Sequence, residues 1–438
     1  MPNIQKNKVF SAVNIGLLLY IGILSFFLSR YIWPTLNLPQ IVSQIATVLQ
    51  YLPFAIFALW KLILDIQKKK IDLFSKFYYL FVGYYAVLTA YRFFSGMEVK
   101  DNLYIALICI GTLALYSMSA SQTEPQSRVQ MFHAVLTFAL ALAVYWIIYK
   151  IAIWPVLYFS PLNEISYGTC CALLIPALAT ELSNREKWDV TKCLTTVALV
   201  AMAVICTVSG SRVLFAVFLF ELVALVLIFF RRKGFLKAFL SAVGITVLIV
   251  TLLFALNVQN TRYYMYREME FLRVFDDSSA DDYFADEGLN EDNSQKSDAI
   301  QQTVRSDTMR NYLYKAGLEE VKKNKLFGTG TVFFEYKTQQ QTYYVPAHNV
   351  IVVTLNCFGV VGLCMLVCIA VALVIQMKLF QRDHIREKMA VILILVSYLS
   401  ISMVQASFYD IMIMPAVFMI LSMFSLPKNV ASDRGRIE

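Results

Sequence analysis

Charged side chains are scarce in this chain. Only 16% of its 438 residues are charged, whereas 58% are hydrophobic and the mean hydropathy is +0.61. This composition excludes an ordinary soluble or disordered protein. The first apolar run, at about residues 9–33, is longer than a signal-peptide core and lacks a small-residue cleavage site, so we expect a retained helix. The sequence therefore predicts a polytopic membrane protein.

Several common motifs are also missing. The eight cysteines lie in or beside apolar runs without a Cys-x-x-Cys pair, which excludes a disulfide framework in the polar parts and a zinc site of that type. No internal repeat or nucleotide-binding motif is present, so we do not expect ATP-driven transport. The net charge of +8 does not indicate nucleic-acid binding, because the Lys and Arg residues lie mainly in short loops, where they anchor helices on the cytoplasmic side.

The apolar runs predict about twelve membrane-spanning helices, since each span needs about 20 apolar residues. The sixth is weak and the last two are crowded together. With the N terminus in the cytoplasm, the basic clusters outside the long polar segment all fall on one side, as the positive-inside rule requires. Both termini are then cytoplasmic. The spans are centred near residues 20, 52, 84, 110, 142, 174, 200, 221, 246, 362, 398 and 417.

One long polar segment, residues 258–346, interrupts the apolar runs, and the topology places it outside the cytoplasm. It divides the chain into helices 1–9 in residues 1–257, the external segment, and helices 10–12 with a cytoplasmic tail in residues 347–438. The fold class that follows is an all-α polytopic membrane protein with one large external loop.

The two parts of the polar segment differ. Residues 258–300 include an acidic run with few aliphatic side chains, so we expect a solvated, mobile loop. In residues 305–346, Asp307 can cap a helix that begins near Thr308, and a Gly-Thr-Gly turn can end it. We expect this helix to lie on the external membrane face. The aromatic pairs after the turn suit lipid headgroups or sugar rings.

Histidine is rare, and the topology places only one of the three, His348, on the external side. Its ordinary pKa, about 6.5, suits proton transfer near neutral pH. Asn349 follows it and could orient the imidazole or a substrate. A histidine at a membrane interface can also be no more than a polar anchor.

Two arginines are the other external candidates. Arg212 ends the motif Ser209-Gly210-Ser211-Arg212 in a short external turn, against the positive-inside trend. Arg310 lies on the predicted external helix with Tyr314 on the same face, and Arg305 precedes it. A guanidinium group is well matched to phosphate. The alternatives are an arginine that snorkels at position 212 and a solvated surface arginine at position 310.

Taken in order, these motifs resemble the signature of the O-antigen ligase and O-antigen polymerase (Wzy-type) superfamily. The family pattern is Arg-x-x-Leu-Trp, Asn-Pro-Leu-x-Gly-x-Gly, then His-Asn before a glycine-bearing helix. This chain departs from it with Tyr314 for Trp, Lys325 for Pro and an acidic insertion. The matching stretches are Arg310–Lys315, Asn324–Gly330, His348-Asn349, Gly359, Gly362, Ser209–Arg212 and Pro161–Glu164.

The resemblance implies a GT-C-like glycosyltransferase of the bacterial cytoplasmic (inner) membrane, with an active site that faces the periplasm or cell exterior. It would move a glycan from an undecaprenyl-diphosphate-linked donor to an acceptor sugar hydroxyl, with inversion and without a metal or other cofactor. His348 would act as general base while Arg212 and Arg310 bind the diphosphate. The substrate-binding candidates are Arg305, Asn349, Asn163, Ser211 and Tyr314.

The acidic run favours a polymerase of O-antigen or capsular repeat units, because a ligase that acts on a phosphate-rich lipid A core would prefer a cationic external surface. The ligase is the alternative. The expected partners are the donor lipid, the acceptor glycan and the bilayer, with a chain-length regulator and a flippase as further candidates and no nucleic acid.

A transporter or lipid-linked oligosaccharide flippase is the more remote alternative. It would carry charges along several spans and two similar halves. Arg92, Lys150 and Glu221 do lie in or beside spans, but no symmetry accompanies them. A structural scaffold would not need the external histidine and arginines.

Overall fold

The computed structural model describes residues 40–68, 71–96, 99–120, 125–148, 164–185, 187–209, 211–256, 261, 309–337, 342–381, 384–404, 409–410 and 413–425. These residues are mainly helical, with one β-hairpin. The helices are α1 (Gln40–Lys68), α2 (Leu73–Phe94), α3 (Lys100–Ala120), α4 (Pro125–Ile148), α5 (Glu164–Asn184), α6 (Val190–Thr207), α7 (Arg212–Phe229), α8 (Lys233–Ala255), α9 (Val350–Gln376), α10 (Ile385–Val404) and α11 (Ile413–Ser425), with a further helix at residues 309–323.

The predicted spans from the second to the twelfth coincide with α1 to α11. The first, near residue 20, lies outside the described residues. Among the described helices, seven are long and apolar enough to cross a membrane (α3, α4, α6, α7, α8, α9 and α10), and α11 is a shorter apolar helix. The chain is thus a helical, multi-pass membrane protein, and the count of twelve spans stays a prediction.

Helix α5 is the centre of the bundle. It packs against α4, α6, α7, α8, α10 and α11. Residues 167–180 are all buried, and many of them are Cys, Ala or Thr, whose small side chains allow neighbouring helices to approach closely. A helix enclosed by protein rather than lipid does not need a uniformly apolar surface. This explains why the sixth span is weak in the sequence.

Helix α9 is broken at Gly359. This residue has φ +66° and ψ −174°, a backbone conformation that is essentially restricted to glycine. The break leaves the amides of Val360 and Val361 without their usual acceptors in the preceding turn. They donate instead to the carbonyls of Lys325 and Leu326, at 2.9 and 3.2 Å. The polar segment therefore completes the backbone hydrogen bonding of a membrane helix.

The three carbonyls on the other side of the break are satisfied by donors from two parts of the chain, α2 and the Gly-Thr-Gly turn. Each would normally accept an amide four residues later. The substitutes are the Gly330 amide for Asn356 (2.9 Å), the Arg92 guanidinium for Cys357 (2.8 Å) and the Tyr84 hydroxyl for Phe358 (2.5 Å). The break thus holds α2 and the Gly-Thr-Gly turn against α9.

Residues 309–323 are helical, close to where the sequence predicts a helix. The helix packs on the start of α9 through Gly317, and its Leu313 side chain is fully buried. A Cβ atom at Gly317 would lie only 2.5 Å from Cγ1 of Val352, so the two backbones are in close approach. The predicted cap Asp307 and the acidic run of the polar segment lie outside the described residues.

A β-hairpin follows this helix, which the sequence analysis did not predict. Strands β1 (Phe333–Lys337) and β2 (Thr342–Pro346) pair antiparallel, with Phe333 opposite Pro346. The Tyr336 ring lies 5.4 Å from that of Tyr312 on the preceding helix. Both strands are rich in aromatic and β-branched residues, which favour strands. From the sequence, we expected these aromatic side chains to contact lipid headgroups or sugar rings.

We expect Gly359→Ala to loosen the turn from α9. An added Cβ would overlap the Leu326 carbonyl, and the backbone conformation itself would cost about 1–3 kcal/mol. The measurements are the thermal unfolding midpoint and amide hydrogen exchange in residues 324–330. Gly244→Ala in α8 is the matched control, because nothing lies within 4 Å of the Cβ position there. Equal behaviour of the two variants would contradict this role of the break.

Candidate functional site

His348 lies in the short turn between β2 and α9, and its neighbour Asn349 fixes that turn. The Asn349 side-chain oxygen caps α9 by accepting from the amides of Ile351 and Val352, at 3.0 and 3.2 Å. Its amide nitrogen donates to the Met403 carbonyl at the end of α10, at 3.1 Å. Asn349 therefore holds the backbone that carries His348, and both ends of its amide are used for this.

The imidazole of His348 is largely shielded from solvent. Both ring nitrogens are buried, and neither has a hydrogen-bond partner among the described residues. Burial, and then the positive charge of Arg310, lower the pKa of His348 from 6.5 to about 4. The ring is therefore neutral near pH 7 and can accept a proton. A buried polar group without an internal partner is often a place where a ligand binds.

Arg310, on the 309–323 helix, acts electrostatically on this histidine. Arg310, Leu313 and Gly317 lie on the same helix face, because they are three and seven positions apart. Gly317 lies against Val352 and Ala347 at the start of α9, and Leu313 is buried, so the face that carries Arg310 is directed towards the start of α9. Tyr314, which the sequence analysis placed on this face, is 42% exposed. Leu313, three positions after Arg310, is the fully buried neighbour, and Tyr314 is accessible to a ligand.

The 309–323 helix and the turn after it are joined by Glu320. Its carboxylate accepts from the Thr331 hydroxyl at 3.1 Å and pairs with Lys323 at 2.5 Å. Partial burial opposes ionisation, but the hydrogen bonds from Lys323, Thr329 and Thr331 outweigh it and lower the pKa of Glu320. The carboxylate therefore stays ionised, and helix and turn are held together as one unit.

Arg212 opens α7. Ser211 is the N-cap of that helix, and its hydroxyl accepts from the Leu214 amide at 3.4 Å. Ser211 is buried, whereas Arg212 is half-buried. Ser211, a substrate-binding candidate from the sequence, thus has a structural role that orients the start of α7.

A series of neighbouring residues links the start of α7 to the start of α9, which follows His348 in the chain. It runs through α5 and through the residues that precede α11. The hydroxyls of Tyr409 and Thr354 are 2.7 Å apart, and Thr354 is in the second turn of α9. Ser209 lies close to Gly168 of α5, Cys170 of the same helix is within electrostatic range of Asp410, and Tyr409, next to Asp410, is paired with Thr354.

Two predicted site residues, Arg305 and Asn163, lie outside the described residues. One buried polar residue was missed by the sequence analysis. Asn356 is 1% exposed, and neither atom of its amide has a hydrogen-bond partner within the described parts of the chain. Its nitrogen lies 3.5 Å from the Cβ position of Gly317. Asn356 could have been noticed in the sequence because it is a polar residue within the apolar run of α9.

No group of three or more His, Cys, Asp or Glu side chains that could hold a metal ion occurs among the described residues. The candidate cations from the sequence, Arg212 and Arg310, are guanidinium groups. They offer charge and hydrogen-bond donors to an anion in a fixed geometry.

The buried imidazole should make the protein less stable in mild acid. Because the pKa of His348 is lower in the folded state, protons bind the unfolded state better between pH 6.5 and 4, and stability is lost as pH falls through that window. We expect a loss of about 2 kcal/mol from pH 7 to pH 5. Thermal unfolding at both pH values, in wild type and His348→Gln, measures this loss. An equal loss in both proteins would contradict the burial of a neutral histidine.

Comparison with known proteins supports an assignment for the region that contains this site. Residues 197–367 match the family model described as O-antigen ligase, while no curated protein matches the chain. The matched region contains Arg212, Arg310 and His348, together with the break in α9. The resemblance to the O-antigen ligase and polymerase superfamily is thus confirmed for residues 197–367.

Proposed function

We propose that the protein is a membrane glycosyltransferase that moves a glycan from an undecaprenyl-diphosphate-linked donor to an acceptor sugar hydroxyl. The observation that carries this proposal is the neutral, buried His348 beside the cation of Arg310, within a region that matches an O-antigen ligase family. An imidazole that can accept a proton next to a fixed positive charge suits deprotonation of an alcohol close to an anionic leaving group.

The base and the cations have separate roles in the proposed reaction. His348 takes the proton from the acceptor hydroxyl as its oxygen bonds to the anomeric carbon of the donor sugar. The bond from that carbon to the diphosphate breaks, and its electron pair leaves with undecaprenyl diphosphate. Attack opposite the leaving group inverts the anomeric centre. Arg212 and Arg310 bind the diphosphate and stabilise its growing charge.

The donor would also change the strength of the base. Arg310 contributes to the low pKa of His348. A diphosphate bound at Arg310 would offset that positive charge and raise the pKa of His348. The histidine would then be a stronger base when the donor is present than when the site is empty.

The orientation in the membrane is part of the same proposal. We place both termini in the cytoplasm, with twelve spans in a GT-C-like arrangement. The end of the bundle that carries His348 then faces the periplasm or cell exterior. The positive-inside distribution of Lys and Arg supports this orientation. The parts of the chain are residues 1–257, the external segment 258–346 with its helix against the membrane face, and residues 347–438.

Within the superfamily we favour polymerisation of O-antigen or capsular repeat units, since the acidic run of the polar segment disfavours an anionic lipid A core as acceptor. Ligation is the second candidate, and the description of the matching family favours it. A chain-length regulator and a flippase are the proposed protein partners.

Alanine variants of His348, Arg212 and Arg310 should lose the transfer activity. We expect a loss of about 100-fold or more for His348→Ala, as for the removal of a general base. The assay is glycan synthesis from an undecaprenyl-diphosphate-linked repeat unit, with purified protein at matched concentration. A ladder of products from the donor alone indicates a polymerase, and a strict requirement for a lipid A core acceptor indicates a ligase.

The control for this experiment is the variant His133→Ala. His133 lies in α4. It should retain activity, because the topology places His133 on the cytoplasmic side. Full activity in all three site variants would contradict the proposed mechanism, and loss of activity in the His133 variant would contradict the orientation.

A further inference from the structure

Arg92 is a fully buried cation in the last turn of α2. It is 1% exposed, and no carboxylate pairs with it among the described residues. Burial of a guanidinium group is costly unless hydrogen bonds compensate for the lost water. One nitrogen, Nη2, donates to two backbone carbonyls, those of Phe327 and Cys357, both at 2.8 Å. The C-terminal end of α2 also favours a cation, because the helix dipole is negative there.

These two carbonyls belong to different parts of the site. Phe327 is in the turn after the 309–323 helix, and Cys357 lies just before the break in α9. The guanidinium lies against Gly330 of the same turn, where an added Cβ would be 3.1 Å from Nη1. Arg92 therefore occupies the junction between the polar segment and the broken helix.

This junction, together with the contact of Gly317 with Val352, holds the 309–323 helix in place. The turn is hydrogen-bonded to α9 on one side, and Glu320 joins it to the helix on the other. Arg310 lies at the far end of that helix, and His348 precedes α9. A shift of the turn relative to α9 would thus change the separation of the two side chains.

We propose that Arg92 is a positioning residue, which holds the 309–323 helix at the separation from α9 that brings Arg310 to His348. This inference rests on the proposed function for its catalytic consequence, although the positional role is structural. Arginine suits the task because its planar nitrogen directs two N–H groups at two carbonyls. Lysine is shorter and does not have this fixed geometry.

The first test measures position without activity. In Arg92→Gln, amide hydrogen exchange in residues 309–330 should become about tenfold faster or more, as expected when two hydrogen bonds to a buried charge are lost. Arg92→Lys should not restore the wild-type rate. Gly330→Ala disturbs the same contact from the other side and should give the same pattern. Wild-type exchange in Arg92→Gln and Gly330→Ala would overturn the proposal.

The second test uses the pH dependence of transfer from the undecaprenyl-diphosphate-linked repeat unit. The charged group acting on His348 among the described residues is Arg310, on the 309–323 helix; Asn349 and the end of α10 at Met403 contribute no charge. If the helix moves away, His348 gains solvent and loses the repulsion from Arg310, so its pKa rises. The acidic limb of kcat/KM should move to higher pH in Arg92→Gln.

A matched control is Lys61→Met. Lys61 is another buried cation, 2% exposed, bound to Asp65, Ser75 and Ser117 at 2.7–2.8 Å. The Lys61→Met variant should have a lower thermal unfolding midpoint. Its amide hydrogen exchange in residues 309–330 and the acidic limb of its kcat/KM profile should be unchanged. The same acidic limb in Arg92→Gln and Lys61→Met would show that Arg92 supplies stability alone, and would overturn the positioning role.

The two proposals can fail separately. Retained activity in His348→Ala contradicts the proposed function, while the exchange experiment still decides whether Arg92 holds the helix. An inactive His348→Ala together with an unchanged Arg92→Gln contradicts only the role of Arg92.

Discussion

The break in α9 is the constraint on which the candidate site depends. In an apolar environment each unsatisfied backbone group costs several kcal/mol. Because α9 is broken at Gly359, the amides and carbonyls beside the break need other hydrogen-bond partners. The polar segment supplies the carbonyls of Lys325 and Leu326 and the amide of Gly330. The hydrogen bonding of α9 at the break therefore depends on the polar segment. A loop attached only by its ends could not hold a catalytic residue with comparable accuracy.

This constraint also accounts for the chemistry of the site. The 309–323 helix is fixed on α9 by the close approach of Gly317 to Val352, and this brings Arg310 to His348. Burial keeps the imidazole neutral, and the nearby cation is already in place before a diphosphate arrives. In the proposed reaction, such preorganisation would remove part of the cost of arranging charges.

Much of the helical architecture could be predicted from the sequence, because membrane spans follow from the length and hydropathy of apolar runs. The helix at 309–323 followed from its cap and its terminal glycines. The central position of α5 could not be predicted. A segment of low hydropathy has the same composition whether it is a helix surrounded by other helices or a segment that does not cross the membrane. The hairpin was missed because aromatic residues suit both strands and lipid contacts.

The parts of the site that the sequence did not reveal depend on contacts between distant residues. Gly359 was noticed as a family glycine, but its role in breaking α9 depends on Leu326, which must approach from the polar segment. Arg92 was noticed as a charge near a span, yet its partners lie 235 and 265 positions away. No local pattern identifies backbone carbonyls as the ligands of an arginine. The role of Tyr314 in substrate binding stays a prediction, because helical spacing alone does not tell which contacts an exposed side chain makes.

The most direct test of the central claim is an experimental structure of the protein with an undecaprenyl-diphosphate-linked donor bound. We predict that the diphosphate oxygens lie within about 3.2 Å of the guanidinium nitrogens of both Arg212 and Arg310, and that the imidazole of His348 faces the anomeric carbon. A diphosphate bound by other side chains, with Arg310 and His348 apart from it, would contradict this account.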